Sequence, residues 1–210
     1  VDRLVALGIS ILFCIGGDGT LRGAHGIAEE LDRRGEKIAV VCIPKTIDND
    51  IPFVYKTFGF DTAVEVVRQA IDGAHVEATG ALNGVGLVRV MGRDSGFIAA
   101  YGCLASVQVN FCLVPEVPFD LYGEGGLLDA LGKRLDRHGH AVIVVAEGAG
   151  QQFFPDRQRE FFDGQRGQRK PRQIGLKVAK HLAEGRVGRQ DFALDAQGQA
   201  TPALLKKLGA

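Results

Sequence analysis

Four short segments of this chain combine a carboxylate with glycines, a cationic side chain or both, as phosphate chemistry requires. The first is Gly16-Gly17-Asp18-Gly19-Thr20. Glycines let the backbone approach a ligand, and its N–H groups can then face phosphate oxygens. A helix opening at this point would add partial positive charge. Asp18 would repel a phosphate unless a cation lay between them, so it points to Mg²⁺ shared by the carboxylate and the phosphates. A tight strand-to-helix turn with Asp18 capping the helix is the plainer reading. The second segment is Pro44-Lys45-Thr46-Ile47-Asp48-Asn49-Asp50. Of its two carboxylates, one can take the proton of an attacking hydroxyl. The other can orient a neighbouring Arg or the cation, and Lys45 can offset negative charge. The alternative is an Asx-type turn in which Asn and Asp bond their own backbone.

The third segment is Met91-Gly92-Arg93-Asp94-Ser95-Gly96. Its glycines mark a turn, and Arg93 could clamp a phosphate with two parallel hydrogen bonds. A structural ion pair between Arg93 and Asp94 is equally open. The fourth is Ala146-Glu147-Gly148-Ala149-Gly150, where a carboxylate among small residues suits a sugar hydroxyl. A rim residue is the bland alternative.

The elements that must position these segments follow from hydrophobic periodicity. Apolar runs at 11–15, 38–43, 85–90, 111–114 and 141–145 predict strands, and continuous β-branched runs suit strands covered on both faces. A short helical pattern covers Val1 to Leu7. A helix is predicted through Leu21, Ala24, Ile27, Ala28 and Leu31, with Gly35 as its stop. Thr62 and Glu65 read as a capping box for a helix with Ala63, Val66, Val67, Ala70 and Ile71 on one face. Further helices are predicted over 127–135 and 174–182. Strands alternating with helices predict an α/β fold with a doubly wound, mostly parallel sheet. All four segments fall at carboxyl ends of predicted strands, where such sheets bind ligands.

Residues 155–173 are polar and hold Arg166, Arg169, Lys170 and Arg172, which reads as a solvated loop or a phosphate or partner patch. The stretch 185–210 reads as weakly structured. The expected organisation is a core over 1–154 and a partial C-terminal segment over 155–210. Lys plus Arg and Asp plus Glu both number 25, so no bulk attraction to nucleic acid or an anionic membrane is expected. The four cysteines, at 14, 42, 103 and 112, form no C-x-x-C pair and read as buried, reduced thiols of a cytoplasmic protein. No apolar run reaches the length of a membrane span. The first residue is Val1 rather than Met, so the chain is expected to be a piece lacking its start, and with it part of an active site.

The stretches GGDGTLRGA, PKTIDNDI, TFGFDTAVE, MGRDSGFIA, PEVPF and VVAEGAG, in this order across residues 8–154, resemble the phosphofructokinase family closely. The resemblance implies two α/β lobes with fructose 6-phosphate bound between them, and phosphoryl transfer to its 1-hydroxyl. It implies that Asp48 is the general base, with Asp50 in support and Thr46 on the sugar phosphate or the transferring group. Asp18 would help hold Mg²⁺, while Gly17, Gly19, Thr20 and Lys45 would face the donor's phosphates. Met91, Gly92, Arg93 and Glu147 would bind fructose 6-phosphate, and the full-length protein would be a homo-oligomer. Gly19 leaves room for the α-phosphate of ATP, where pyrophosphate-dependent members typically carry Asp. Lys45 is shared with those members. The pair is similar to ATP-dependent enzymes of the plant and trypanosome type, with pyrophosphate as the alternative donor. Many bacterial members carry an Arg at the position of Gly84, reaching into a neighbouring subunit. NAD and lipid kinases share GGDGT but not the later stretches, and a non-catalytic or truncated subunit is the remaining alternative.

Overall fold

The computed structural model describes residues 1–153 and, as strand backbone, 160–163, 168–171 and 191–195. Contacts divide the chain into two compact units, Val1–Asp61 and Thr62–Ala210.

The first unit holds α1 (Asp2–Ala6), β1 (Ile11–Gly16), α2 (Asp18–Arg34) and β2 (Ala39–Pro44). β1 and β2 pair in parallel from Ile11 opposite Ala39 to Gly16 opposite Pro44, so the loops leaving the two strands start side by side. α2 ends where expected. Gly35 adopts φ 70°, a left-handed conformation that glycine takes without a Cβ penalty, and its N–H bonds the Asp32 carbonyl. Among the described residues of this unit, the apolar run of β1 is covered on one face. α2 packs against the β1–β2 pair, and Phe13 and Ile15 remain 60% and 61% exposed.

The second unit takes in α3 (Phe60–Gly80) from Thr62 onward, then β3 (Gly84–Val90), α4 (Phe97–Leu104), β4 (Phe111–Leu113), α5 (Leu127–His138) and β5 (His140–Ala146). A turn of 3₁₀ helix follows at Gln151–Phe153. Strands β6 (Glu160–Asp163) and β7 (Gln168–Pro171) pair antiparallel, within the stretch read from sequence as a loop. β8 (Asp191–Asp195) runs parallel to β3, in a stretch expected to be weakly structured. The fully hydrogen-bonding backbone of β3 thereby finds partners on both edges. The order of this sheet is β4-β5-β3-β8, all parallel. The helix expected over 174–182 lies outside the described residues, as do the side chains of Arg166, Arg169, Lys170 and Arg172.

β5 is buried from Ala141 to Ala146, as its unbroken apolar run requires. Leu127, Leu131 and Leu135, one turn apart on α5, join Val85, Leu87, Leu113, Ile143 and Val145 in one cluster. α3 lies close over β3, with Val67, Ile71, Ala74 and Ala78 buried. A Cβ on Gly84 would strike the Ala78 carbonyl, and one on Gly86 would lie 2.8 Å from the Ala74 carbonyl oxygen. Gly84 is therefore the space that lets α3 settle on the strand, and an Arg there would lift the helix.

Three expectations are corrected. The Thr62–Glu65 capping box does not exist, because α3 already begins at Phe60, two residues earlier. Gly59, at φ 100°, turns the chain into the helix, and the Phe60 ring is fully buried. Glu65 instead accepts hydrogen bonds from Arg68 and Gln69. Val66, expected on the buried face, is 46% exposed. The cysteines are free, but Cys42 and Cys112 are exposed and Cys14 and Cys103 half-buried. In a strand the side chains alternate between faces, so an apolar run does not bury every member. Mutual hydrogen bonding of the neighbouring Cys103 and Cys112 thiols pushes the pKa of Cys103 up and that of Cys112 down.

Candidate functional site

In the first unit, β1 delivers Gly16 and Gly17 directly to the start of α2. Gly17 is the N-cap, with extended backbone and no side-chain cap, so the first-turn N–H groups of α2 are the ones this loop presents. Asp18 is the first helical residue and does not cap the helix. Both its oxygens meet Arg22, at 3.1 Å from Nε and 2.8 Å from Nη2. The two side chains are 49% and 80% exposed, so the pair is easily opened. Gly16 is buried beneath Thr20, whose Cβ would lie 2.6 Å from a Cβ at position 16. Gly19 has nothing within 4 Å of a built Cβ, so a side chain there would point into open space. Thr20 is exposed beside it.

The loop after β2 lies against this turn. The Lys45 N–H donates to the Gly16 carbonyl at 2.8 Å. A Cβ on Gly17 would stand 3.7 Å from Thr46 Cβ and 3.8 Å from the Lys45 carbonyl. The loop is held by hydrogen bonds that differ, at Asn49, from the Asx-turn alternative. The Asp48 N–H donates to Thr46 Oγ1 at 3.2 Å. Asn49, at φ 54°, does not bond its own backbone but accepts the Thr57 N–H at 2.8 Å. The Thr57 hydroxyl donates to the Thr46 carbonyl at 2.7 Å. Thr57 is buried and ties residues 46–49 to the segment entering α3. Asp48 is only 7% exposed, whereas Lys45 and Asp50 are exposed. Sequence reasoning missed Thr57, although it begins the quoted stretch TFGFDTAVE.

In the second unit, β3 ends at Val90 and the chain turns sharply. Gly92 has φ 141° and Arg93 φ 53°. The Ser95 N–H closes the turn on the Gly92 carbonyl at 2.8 Å. Glu147, one residue past the end of β5, is the neighbour of this turn because β5 pairs with β3 up to Ala146 opposite Val90. Its Oε1 accepts the Arg93 N–H at 2.8 Å, and its Oε2 lies 3.8 Å from Arg89 Nη1. Glu147 is thus no rim residue: its side chain is 18% exposed and engaged with the turn. Met91 and the Arg93 side chain are exposed above it. Gly148 packs on the same turn, where a Cβ would strike the Arg93 carbonyl. At the far end of the turn, Glu116 Oε1 accepts the Gly96 N–H at 2.7 Å. Glu116 sits in the quoted stretch PEVPF, to which sequence reasoning gave no role.

The structure therefore brings the first segment to the second within one unit, and the third to the fourth within the other. A glycine turn at a helix start, met by a loop that holds a buried carboxylate, and a cationic turn braced by carboxylates are residue types suited to phosphate chemistry. Among the described residues no three His, Cys, Asp or Glu side chains cluster as a metal cage. None of the described helices is long and apolar enough to cross a membrane.

Comparison with known proteins gives a consistent picture. The family model described as Phosphofructokinase matches residues 1–199. ATP-dependent 6-phosphofructokinase 7 of Arabidopsis thaliana is 60% identical over 151 residues, which are 72% of this chain and 31% of that protein. ATP-dependent 6-phosphofructokinase of Borreliella burgdorferi is 56% identical over 160 residues, 73% of this chain and 36% of that one. The chain thus spans about a third of the length of these relatives. Among solved structures, phosphofructokinase of Pichia pastoris in the T-state aligns with a TM-score of 0.70 at 23% identity, over 95% of this chain and 22% of that one.

Proposed function

Since the chain belongs to the phosphofructokinase family, we propose that it carries the donor and acceptor loops of an enzyme that moves the γ-phosphoryl group of ATP onto the 1-hydroxyl of fructose 6-phosphate. The observation that carries this reading is the loop over Lys45–Asp50. It is bonded to the Gly16 carbonyl at its start and pinned by Thr57, and within it Asp48 is buried. A base held this way can meet a hydroxyl attacking the terminal phosphate of a donor lying on Gly17, Gly19 and Thr20. Asp50 and Thr46 support it at the reacting groups, and Lys45 faces donor phosphate. Met91, Gly92 and Arg93 bind the sugar phosphate. Glu147 contributes a sugar hydroxyl contact through whichever oxygen the turn leaves available.

The donor is assigned as ATP on the open space at Gly19, together with the similarity to ATP-dependent relatives in Arabidopsis and Borreliella. Mg²⁺ fits the residues present. Asp18 is a single exposed carboxylate whose pairing to Arg22 is easily opened, and Mg²⁺ usually takes one or two carboxylates with phosphates and water. Bound there, it would neutralise charge on the transferring group. A homo-oligomer in the cytoplasm completes the proposal on family grounds.

The test is product formation by the intact protein with fructose 6-phosphate and either ATP or pyrophosphate. ADP and fructose 1,6-bisphosphate in equal amounts support the proposal. Turnover with pyrophosphate alone overturns the donor assignment, and no turnover with either overturns the reaction.

A further inference from the structure

We propose that Glu116 is a positioning residue for the sugar-phosphate turn, acting on Arg93 through the backbone of Gly96. This rests on the reading of Met91-Gly92-Arg93 as the fructose 6-phosphate contact. The turn runs from β3 into α4 and is gripped by a carboxylate at each end. Glu147 Oε1 holds the Arg93 N–H at 2.8 Å, and Glu116 Oε1 holds the Gly96 N–H at 2.7 Å. Both bonds have an ionised acceptor, the stronger kind of hydrogen bond.

Gly96 is the N-cap of α4, and its own residue type supplies no side-chain cap. The helix start would ordinarily recruit Ser, Thr, Asp or Asn at this position. Here the anion is brought from twenty residues further along the chain, just past the end of β4. The approach is possible only because position 96 lacks a Cβ, which would lie 2.5 Å from Glu116 Oε2 and 2.5 Å from Val114 Cβ. A carboxylate beside a helix N-terminus is also favoured by the helix dipole.

What the grip accomplishes follows from the turn between the two bonds. Arg93 has φ 53°, a conformation non-glycine residues adopt at a cost, and Gly92 has φ 141°. Such a backbone persists only where its surroundings over-determine it. Glu147 fixes the N-terminal side of the strained residue. The Ser95 N–H to Gly92 carbonyl bond fixes the turn itself. Glu116 fixes the exit, and with it the direction in which the Arg93 side chain leaves. Without Glu116 the turn could relax into α4, and Arg93 would be presented over a spread of positions.

The experiment uses the intact enzyme with E116A, E116Q, R93A and the double variant R93A/E116A, with KM for fructose 6-phosphate, KM for ATP, kcat and Tm measured for each. Losing one hydrogen bond that orders a binding group is expected to raise KM for fructose 6-phosphate about tenfold in E116A. E116Q keeps an acceptor oxygen without the charge and is expected to rise roughly threefold, since charge assistance supplies about half the bond. KM for ATP should stay unchanged. In the R93A background the E116A effect should largely vanish, because there is no guanidinium left to position. An unchanged KM in E116A and E116Q, with R93A impaired, overturns the role of Glu116 alone, whatever happens to Tm. The same loss with or without Arg93 also overturns it, showing a generally structural part. An unchanged KM in R93A overturns the assignment of the turn itself, and this proposal with it. If E116A is insoluble, E116Q and its combination with R93A decide the question.

Discussion

Gly148→Ala tests whether the end of β5 sets the position of the Arg93 turn. A Cβ built on Gly148 strikes the Arg93 carbonyl oxygen, and it stands 3.2 Å from the Arg93 carbonyl carbon and 3.3 Å from Asp94 Cα. Carbon atoms rest about 3.5–4.0 Å apart, and every atom struck is backbone, so no side-chain rotation relieves the overlap. Either the turn or the strand end must move by on the order of 1 Å. The strand end is the stiffer partner. Ala146 is fully buried, and the Glu147 N–H is bonded to the Val90 carbonyl at 2.9 Å. The turn is held by single hydrogen bonds rather than by a strand ladder, so the displacement falls on Arg93.

A misplacement of about 1 Å can cost ~100-fold in rate, equivalent to about 2.7 kcal/mol of transition-state stabilisation. Overpacking adds a destabilisation of about 1–3 kcal/mol to the fold. The assay is steady-state kinetics of the intact enzyme with fructose 6-phosphate varied at saturating ATP, and the reverse, together with thermal denaturation. The expected result is a fall of about 100-fold in kcat/KM for fructose 6-phosphate with KM for ATP near normal. A variant that loses stability but keeps kcat/KM for the sugar phosphate would refute the reasoning. The strain would then have been absorbed by β5, and the turn would not depend on Gly148.

Three further outcomes are expected. Asp48→Asn should lower kcat by on the order of 10²–10⁴ with little change in KM for fructose 6-phosphate, and a near-normal kcat removes Asp48 from the base role. Gly19→Asp should fold normally, because nothing lies within 4 Å of a Cβ there. It should nonetheless abolish ATP use: two like charges about 4 Å apart cost roughly 4 kcal/mol at an effective dielectric of 20, near three decades in affinity. Full ATP activity in that variant would show that position 19 does not face the α-phosphate. Glu65 is held down to about 2, first by hydrogen bonds from Arg68 and then by Gln69. A depressed carboxylate stabilises the fold above its unfolded pKa, and this contribution is lost as pH falls from about 4.5 towards about 2. Arg68→Gln should raise the Glu65 midpoint in an NMR titration and narrow the stability difference between pH 6 and pH 2.5; an unmoved midpoint refutes the pairing. The pair is exposed, so the stability change should be small.

What the sequence made legible and what it hid divide along one physical line. Periodicity and punctuation are local, and they located β1 to β5, the stop of α2 at Gly35 and the glycine turns at strand ends. Capture by a distant partner is not local. Thr62 and Glu65 have the spacing of a capping box, but the burial of Phe60 and the left-handed Gly59 start α3 earlier. The run through Cys14 and Ile15 reads as doubly covered, yet what covers a strand is decided by other segments. Asn49 reads as a residue that bonds its neighbours, and its acceptor is taken instead by Thr57, eight residues on.

The carboxylates show the same division with a functional consequence. Glu147 reads as a ligand for a sugar hydroxyl because it stands at a strand end among small residues. The parallel register of β3 and β5 puts the Arg93 N–H, 54 residues earlier, within 2.8 Å of it. Glu116 follows a proline in a stretch of no evident chemistry, and the strand order places it at the entrance to α4. Neither capture could be inferred from spacing along the chain. Both follow once β4, β5 and β3 are ordered side by side, because carboxylates beyond their carboxyl ends then face the N–H groups of the turn. A strand-end carboxylate in such a sheet can therefore act on the substrate by holding the backbone of the residue that touches it. Substitutions that preserve charge but move the acceptor oxygen separate that role from direct contact, since only the former is sensitive to whether Arg93 is present.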